Sequence, residues 1–468
     1  MSFLHSLRFA LLVTTIVHVP QWRPARVGRL QHRRLRRLVR FAAQRSPLYR
    51  EKYHGIDLDR FELSQLPTTS KLELASHFED SLTDRRIHRA DVERFVEDPE
   101  NLGRWFLGRY AVSHTSGSQG QPLLILQDRR ALQVFYAAMC SRGNPSGKPG
   151  VIEGIRRFLH PVRVAIVTLR RGFYPSGSAI EFMPEIVGGF VRIRRLSSSQ
   201  SDLIELLNDF QPNVLVSYAS VLEALAIQSD ELHLDNLRQI ANIGEQLTPR
   251  AGKRIQEAFQ VALPDHYATG ECLLLSNGCP THGGSHINAD WAICEVVDED
   301  YRPVAPGQLG KKVLVTNLAN AVQPFIRYEV GDQVMMAAEP CGCGSRLPRI
   351  DHVEGRLEET FWTFDGTRHR LVSGGLFHAA VDSFREIREW QAIQTERNRV
   401  SVRLELLPNA SITPAAMQTA FLRALAEYEL PSHVTVDVAV VPRLLPDQVT
   451  SKFRRMISTV GPPDDPQR

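Results

Sequence analysis

Apolar and polar positions along this chain fall into blocks whose period changes several times. Between Leu30 and Tyr53 the apolar residues Leu35, Leu38, Phe41 and Ala42 recur at helical spacing, and Ser46-Pro47 ends the pattern, which predicts a surface helix with a basic outer face. A turn at residues 64–71 leads into another helical run, and Asp91 to Phe106 predicts a helix feeding the first core strand. The hydroxyl- and glycine-rich segment Ser113–Pro122 lies between an apolar run and Leu123-Leu124-Ile125-Leu126, which predicts strand, loop, strand. Arg129–Ser141 then predicts an amphipathic helix and Val162–Thr168 a strand. Leu203–Phe210 follows as a helix, Pro212–Ser217 as a short buried strand and Val221–Gln228 as a helix. Ile240–Ile243 precedes Gly244-Glu245, and a helix over Pro249–Phe259 carries the chain toward Tyr267. This alternation predicts an α/β fold. Strands at Ala292–Val297 and Lys312–Thr316 mark a β subdomain over about residues 290–350. Past Gly355-Arg356, a strand (Val400–Leu406), a helix (Ala415–Tyr428) and a strand (Val434–Val441) predict a small α+β lid. The expected division is a large, multi-subdomain N-terminal domain over 1–355 and a small mobile C-terminal domain over 356–468.

A chain of 468 residues exceeds what one core supports, in keeping with that division. A net charge of +4 gives no general reason to expect nucleic acid, and no nucleic-acid-binding signature is present, so none is expected as a partner. Six cysteines, four of them in two polar, Gly-rich neighbourhoods, favour a reducing, cytoplasmic setting and a metal over a disulfide framework. The apolar run Ala10–Val17 is short for a membrane span and lacks a small-residue cleavage site, which predicts a helix packed on the protein. The Arg-rich segment through Arg33-Arg34-Leu35-Arg36-Arg37 leaves room for a peripheral membrane contact.

Two constellations carry chemistry. In the Ser/Gly loop, Gly117 and Gly120 allow tight turns with exposed N–H groups, and Thr115, Ser116 and Ser118 add short donors, as a phosphate-gripping loop requires. It is no Walker loop, because no Gly-Lys-Ser/Thr closes it. Cys279-Pro-Thr-His282-Gly-Gly-Ser-His286 and Cys341-Gly-Cys343 supply the thiolate and imidazole set of a closed tetrahedral zinc site. Spacing favours Cys279, His282, Cys341 and Cys343 as ligands, with His286 as the alternate.

Five stretches stand in fixed order: His114–Pro122, Gly244-Glu245, His266-Tyr-Ala-Thr-Gly-Glu271, Phe325-Ile-Arg-Tyr-Glu-Val-Gly-Asp332 and Val353-Glu-Gly-Arg356. This series resembles the adenylate-forming superfamily, and in detail its phenylacetate-CoA ligase branch, which includes deazaflavin-adenylylating synthetases and capsule-biosynthesis relatives. The resemblance implies that the Ser/Gly loop holds ATP phosphates, that Glu271 gives a carboxylate to Mg²⁺, and that Gly244, Glu245 and Tyr267 border the nucleotide. It further implies that Asp332 binds the ribose, that Arg356 joins the nucleotide site, and that Arg327 counters phosphate charge. Lys452, in Pro446–Arg455, matches the family's catalytic lysine, with Ser451 where glycine is usual. Some members of the branch bind zinc through the same pair of loops.

The implied activity is ATP-dependent adenylation of a carboxylic acid to acyl-AMP, followed by transfer to coenzyme A. Two alternatives stand beside it: adenylylation of another acceptor without a thioester, and a silent nucleotide-binding component of surface-polysaccharide synthesis. A homodimer is left open. Two departures from the family pattern bear on these readings. Gly270 stands where a hydroxyl residue usually precedes the glutamate, and no thioester-forming loop is evident after Leu357-Glu358-Glu359.

Overall fold

Pro24, whose missing N–H costs nothing in a first helical turn, opens helix α2 (Pro24–Arg45), and Ser46 ends it. Ser46 also caps the next helix, Pro47–Lys52, its hydroxyl accepting from the Tyr49 N–H at 3.4 Å. This is a computed structural model. It describes residues 3–115, 123–142, 160–168, 173–183, 189–197, 202–356, 360–367, 369–373, 377, 380–381, 383–384, 386–408, 410–427, 430–445 and 453–460. Helix α1 (Phe3–His18) buries Phe9 and Ile16 in the same cluster that receives Leu35, Leu38, Val39 and Ala42 of α2, so the first apolar run does pack on the protein. No helix among the described residues is long and apolar enough to cross a membrane.

The helix expected to run to Phe106 ends at Glu97 instead. Proline disfavours helical backbone at the residue before it, and Asp98 is extended there, with its side chain accepting from the Glu100 N–H to start a short 3₁₀ turn, Pro99–Asn101. Strands β1 (Tyr110–His114) and β2 (Leu124–Asp128) then pair antiparallel, with Ser113 opposite Ile125 and His114 opposite Leu124. Thr115 closes the hairpin at its open end. Its N–H donates to the Leu123 carbonyl at 3.0 Å, and its hydroxyl accepts from the Leu123 N–H at 2.9 Å.

A parallel sheet follows, built from β3 (Val162–Thr168), β4 (Val191–Ser197), β5 (Val214–Ser217), β6 (Gln239–Ile243) and β7 (Asp265–His266) in the order β4-β3-β5-β6-β7. Helices Leu203–Phe210, Ala219–Ile227 and Pro249–Phe259 form the crossovers, as parallel pairing demands. Leu215 and Ile240 of the sheet, with Leu207 and Leu222 of the helices, are fully buried between the layers.

Antiparallel strands come next: β8 (Ser276–Gly278), β9 (Ser285–Ile287), β10 (Ala292–Val297), β11 (Lys312–Asn317), β12 (Tyr328–Val330), β13 (Asp332–Met336) and β14 (Arg349–Arg356). They form two sheets, β10-β11-β12 and β13-β14-β9-β8. The chain divides into two compact units, one of Met1–Val330 and Val334–Val353, the other of Gly331–Gln333 and Glu354–Arg468. In the second unit a four-stranded sheet, built from Ile387–Glu396, Arg399–Leu406, Thr435–Val441 and Met456–Ser458, packs on helix Pro414–Glu427 through Met417, Phe421 and Leu425, all fully buried.

Candidate functional site

Parallel strands present their carboxyl ends together, and open α/β sheets bind ligands there. Register sets Ile243 of β6 beside His266 of β7, so the residues that follow them, Gly244-Glu245 and Tyr267, leave the sheet side by side. Gly244 has φ +70°, and a Cβ on it would stand 3.2 Å from the Tyr218 ring, which lies just past β5. A glycine is therefore what lets that ring close over the turn. Beneath this edge, Asn242 is fully buried and donates through Nδ2 to the Glu245 carbonyl at 2.7 Å and to Asp265 Oδ1 at 2.7 Å, tying the two strand ends together. Burial raises the Asp265 carboxyl to about 6, against the opposing pull of Asn242 and His352. Burial lowers His266 to about 4, and its Nδ1 accepts from the Gly278 N–H at 3.2 Å, a bond that only the neutral ring can make.

Glu271 sits in a tight turn closed by the Cys272 N–H donating to the Thr269 carbonyl and hydroxyl, both at 3.1 Å. It is 7% exposed, and its carboxylate forms no hydrogen bond or ion pair with a described residue. Its backbone carbonyl accepts from Asn317 Nδ2 at 2.8 Å. A Cβ on Gly270 would meet Pro175 Cγ at 3.0 Å and Ile125 Cδ1 at 3.2 Å, so the missing side chain is what lets this turn press against β2. The β1–β2 hairpin and the glutamate turn are thereby neighbours. Two side-chain amides brace β2 on its free edge. Gln323 accepts from the Leu126 N–H at 2.9 Å and donates to the Leu124 carbonyl at 3.1 Å, and Asn320 donates to the Leu126 carbonyl at 2.8 Å. Sequence reading passed over Asn242, Asn320 and Gln323. The signal available was a set of amides in otherwise apolar runs.

Arg327 does not serve as a free cation. It is 6% exposed, its Nε donates to Glu295 Oε2 at 3.2 Å, and its Nη1 donates to the carbonyls of Ser64 at 3.2 Å and Leu66 at 2.6 Å. These bonds hold the segment before Thr69 against the β10-β11-β12 sheet. Asp332 is 5% exposed at the first position of β13. Ser116, Gly117, Ser118, Gly120 and Lys452 lie outside the described residues, as does the side chain of Arg356, whose backbone ends β14.

The cysteine loops converge. One atom each from Cys279, His286, Cys341 and Cys343 falls within a 4.8 Å set. Cys343 Sγ is 3.2 Å from His286 Nε2, and Cys279 Sγ is 3.7 Å from Cys341 Sγ. His286, rather than the expected His282, completes the group. The chain reverses through Gly283 and Gly284, both at positive φ, and β9 returns His286 beside β8, whose last residue directly precedes Cys279. Exposed His282 bonds instead through Nδ1 to the Thr281 hydroxyl at 2.7 Å. The Nδ1 of His286 lies 3.3 Å from the Leu347 carbonyl, a bond that orients Nε2 toward the thiols, as an outer partner does for a metal-bound imidazole. Burial acts to raise the Cys279 thiol, but hydrogen bonds from the Thr281 and His282 backbone, the Thr281 hydroxyl and His286 outweigh it and bring the group down to about 5.

No family model matches the chain. The phenylacetate-coenzyme A ligase of Thermus thermophilus is 27% identical over 350 residues, which is 70% of each chain. A 2-hydroxyisobutyryl-CoA ligase, solved in the postadenylation state with an acyl-AMP, superposes with a TM-score of 0.71 at 19% identity, over 95% of this chain and 92% of that one. An anthranilate CoA ligase in complex with anthranoyl-AMP superposes with a TM-score of 0.52 at 15% identity, over 73% of this chain and 65% of that one. The fold is that of the adenylate-forming ligases. Within that superfamily the chain is similar to the phenylacetate-coenzyme A ligase of Thermus thermophilus.

Proposed function

We propose that this enzyme joins a carboxylic acid to ATP, forming acyl-AMP and pyrophosphate, and then passes the acyl group to coenzyme A. The observation that carries the reading is Glu271, a buried carboxylate with no hydrogen-bond or ion-pair partner among the described residues, in a turn whose Gly270 packs against Ile125 of β2. A buried anion is costly without a counter-charge, and a hard divalent cation is the natural one. Glu271 would hold Mg²⁺, which would supply positive charge to the phosphates. Tyr218, Gly244-Glu245 and Tyr267 border the nucleotide, and Asp332 accepts from the ribose hydroxyls.

In the first step a carboxylate oxygen attacks the α-phosphorus and the bond to the bridging oxygen of pyrophosphate breaks, a displacement that depends on positioning and charge. Lys452 is assigned to that charge by the motif around it. In the second step the sulfur of coenzyme A, its proton lost, attacks the acyl carbon and AMP leaves. Support for both steps comes from the Thermus relative, named a CoA ligase, and from the 2-hydroxyisobutyryl-CoA ligase structures, which hold an acyl-AMP and, in one state, CoA.

ATP–pyrophosphate exchange over a panel of aryl and fatty acids tests the first step, and silence with every acid at saturating ATP removes the proposal. Mass spectrometry of the product tests the second, since an AMP adduct without a thioester identifies a nucleotidyltransferase instead. Cys279, His286, Cys341 and Cys343 fit a structural Zn²⁺ in donor type and convergence, and its part would be to staple the β8–β9 turn to the loop before β14.

A further inference from the structure

Helix α2 carries eight arginines and no acidic residue, against a whole-chain net charge of +4, so the rest of the chain is net −4. Helical geometry sorts these arginines. Val27, Leu35, Leu38, Val39 and Ala42 are buried on one face, and Arg26, Arg29, Arg33 and Arg37 recur three or four residues apart on the opposite one. Arg34 and Arg40 are already engaged. Arg34 lies 3.3 Å over the Trp291 ring and donates to the Asp290 carbonyl, and Arg40 pairs with Asp59. Arg29, Arg33 and Arg37 are exposed and have no acidic partner among the described residues. Asp290, the acid beneath this region, is 1% exposed and ion-paired to Arg34 and Arg142, so it offers the outer face nothing.

Arg130 extends the patch, sharing the Trp291 ring with Arg34 at 5.3 Å. It stands in the first turn of helix Arg129–Arg142, where the helix dipole makes a cation unfavourable. Phe41, one turn beyond Arg37 on the same stripe, is 38% exposed.

We infer that this face of α2 docks on an anionic lipid surface. From Arg26 to Phe41 the stripe runs straight for roughly 22 Å at about 1.5 Å per residue. It is built of guanidinium forks, which pair bidentately with phosphate. An apolar ring at one end suits the boundary between headgroups and acyl chains, and has no counterpart in the recognition of a nucleic-acid backbone. The helix lies along such a surface and does not enter it, since its opposite face is committed to the protein core.

Vesicle flotation of the full chain tests this. Vesicles of phosphatidylcholine alone are compared with vesicles containing phosphatidylglycerol, at low and high salt. Binding is expected to the anionic vesicles only and to fall as salt rises. The triple variant Arg29→Gln, Arg33→Gln, Arg37→Gln should partition roughly a hundredfold more weakly. A charge-matched control, Arg238→Gln, Arg403→Gln, Arg423→Gln, should bind like the parent. Both variants are expected to keep the parent's circular dichroism and melting temperature, which separates lost docking from lost folding. The inference is overturned if the parent ignores anionic vesicles, if it binds neutral ones equally, if the two triple variants lose binding equally, or if a single-stranded RNA binds in place of the vesicles.

Discussion

A serine or threonine at position 270 would restore the hydroxyl expected before the glutamate, but its Cβ would press on Pro175 and Ile125 at 3.0 and 3.2 Å. Gly270→Thr is therefore expected to destabilise by roughly 1–3 kcal/mol, seen as a lower melting temperature, with no gain in exchange activity. Glu271→Gln keeps the shape and removes the charge. Pyrophosphate exchange should fall on the order of a hundredfold or more, with little change in melting temperature. At the metal cluster, His286→Ala should abolish bound zinc while His282→Ala retains it, read by metal analysis of gently purified protein. Retention in the first and loss in the second would restore the Cys-x-x-His reading. The ligand types were legible from sequence, but the choice between two histidines four residues apart was not. It depends on a β-hairpin that returns the later one to the thiols.

At the scale of elements, β1 and β2 form a sheet of only two strands, which has little stability alone. The Gln323 and Asn320 amides take the place of a third strand on β2. Gln323→Leu leaves the Leu126 N–H and the Leu124 carbonyl without these partners, and a loss of about 1–3 kcal/mol is expected in urea unfolding, together with weaker ATP binding.

The β6 and β7 ends pose an electrostatic question with a definite sign. Neutral His266 has its folded value depressed to about 4, so it contributes stability that is present above its ordinary value of 6.5 and is lost as pH falls toward 4. Asp265 has its folded value raised to about 6, so its contribution is present below 3.8 and is lost as pH rises through 6. The two slopes oppose each other between about pH 4 and 6, and the pair is expected to leave stability nearly flat there. Asp265→Asn removes one slope, and the variant's stability should then rise with pH across this window by up to about 1.4 kcal/mol per unit. A flat profile in that variant would show that His266 does not titrate as its burial requires.

For the whole molecule, the alternation of strand and helix from Val162 to His266 brings Gly244-Glu245 and Tyr267 to the carboxyl ends of parallel strands within the first unit. Lys452→Ala is the test of what the second unit contributes to chemistry. Pyrophosphate exchange is expected to fall by on the order of a hundredfold while ATP binding measured calorimetrically persists. Unchanged exchange would take Lys452 out of the adenylation step.

The sequence by itself determined the element types, because hydrophobic period and proline, glycine and hydroxyl punctuation are local properties of the chain. Helices over Leu203–Phe210 and Pro249–Phe259 and the strand Val162–Thr168 stand where the pattern set them. It also determined the order of the motifs that resemble those of the adenylate-forming ligases. Tertiary structure decided which residues those motifs can use. Arg327 pairs with Glu295 and donates to the carbonyls of Ser64 and Leu66, partners that the local pattern does not reveal. Gly270 looks like a defect and is a close-packing requirement. Asn242, Asn320 and Gln323 carry no motif at all and brace the site. Each of these depends on a partner distant in sequence or supplied by a neighbouring strand, and pairings across a fold are energies of packing and desolvation that no local pattern encodes.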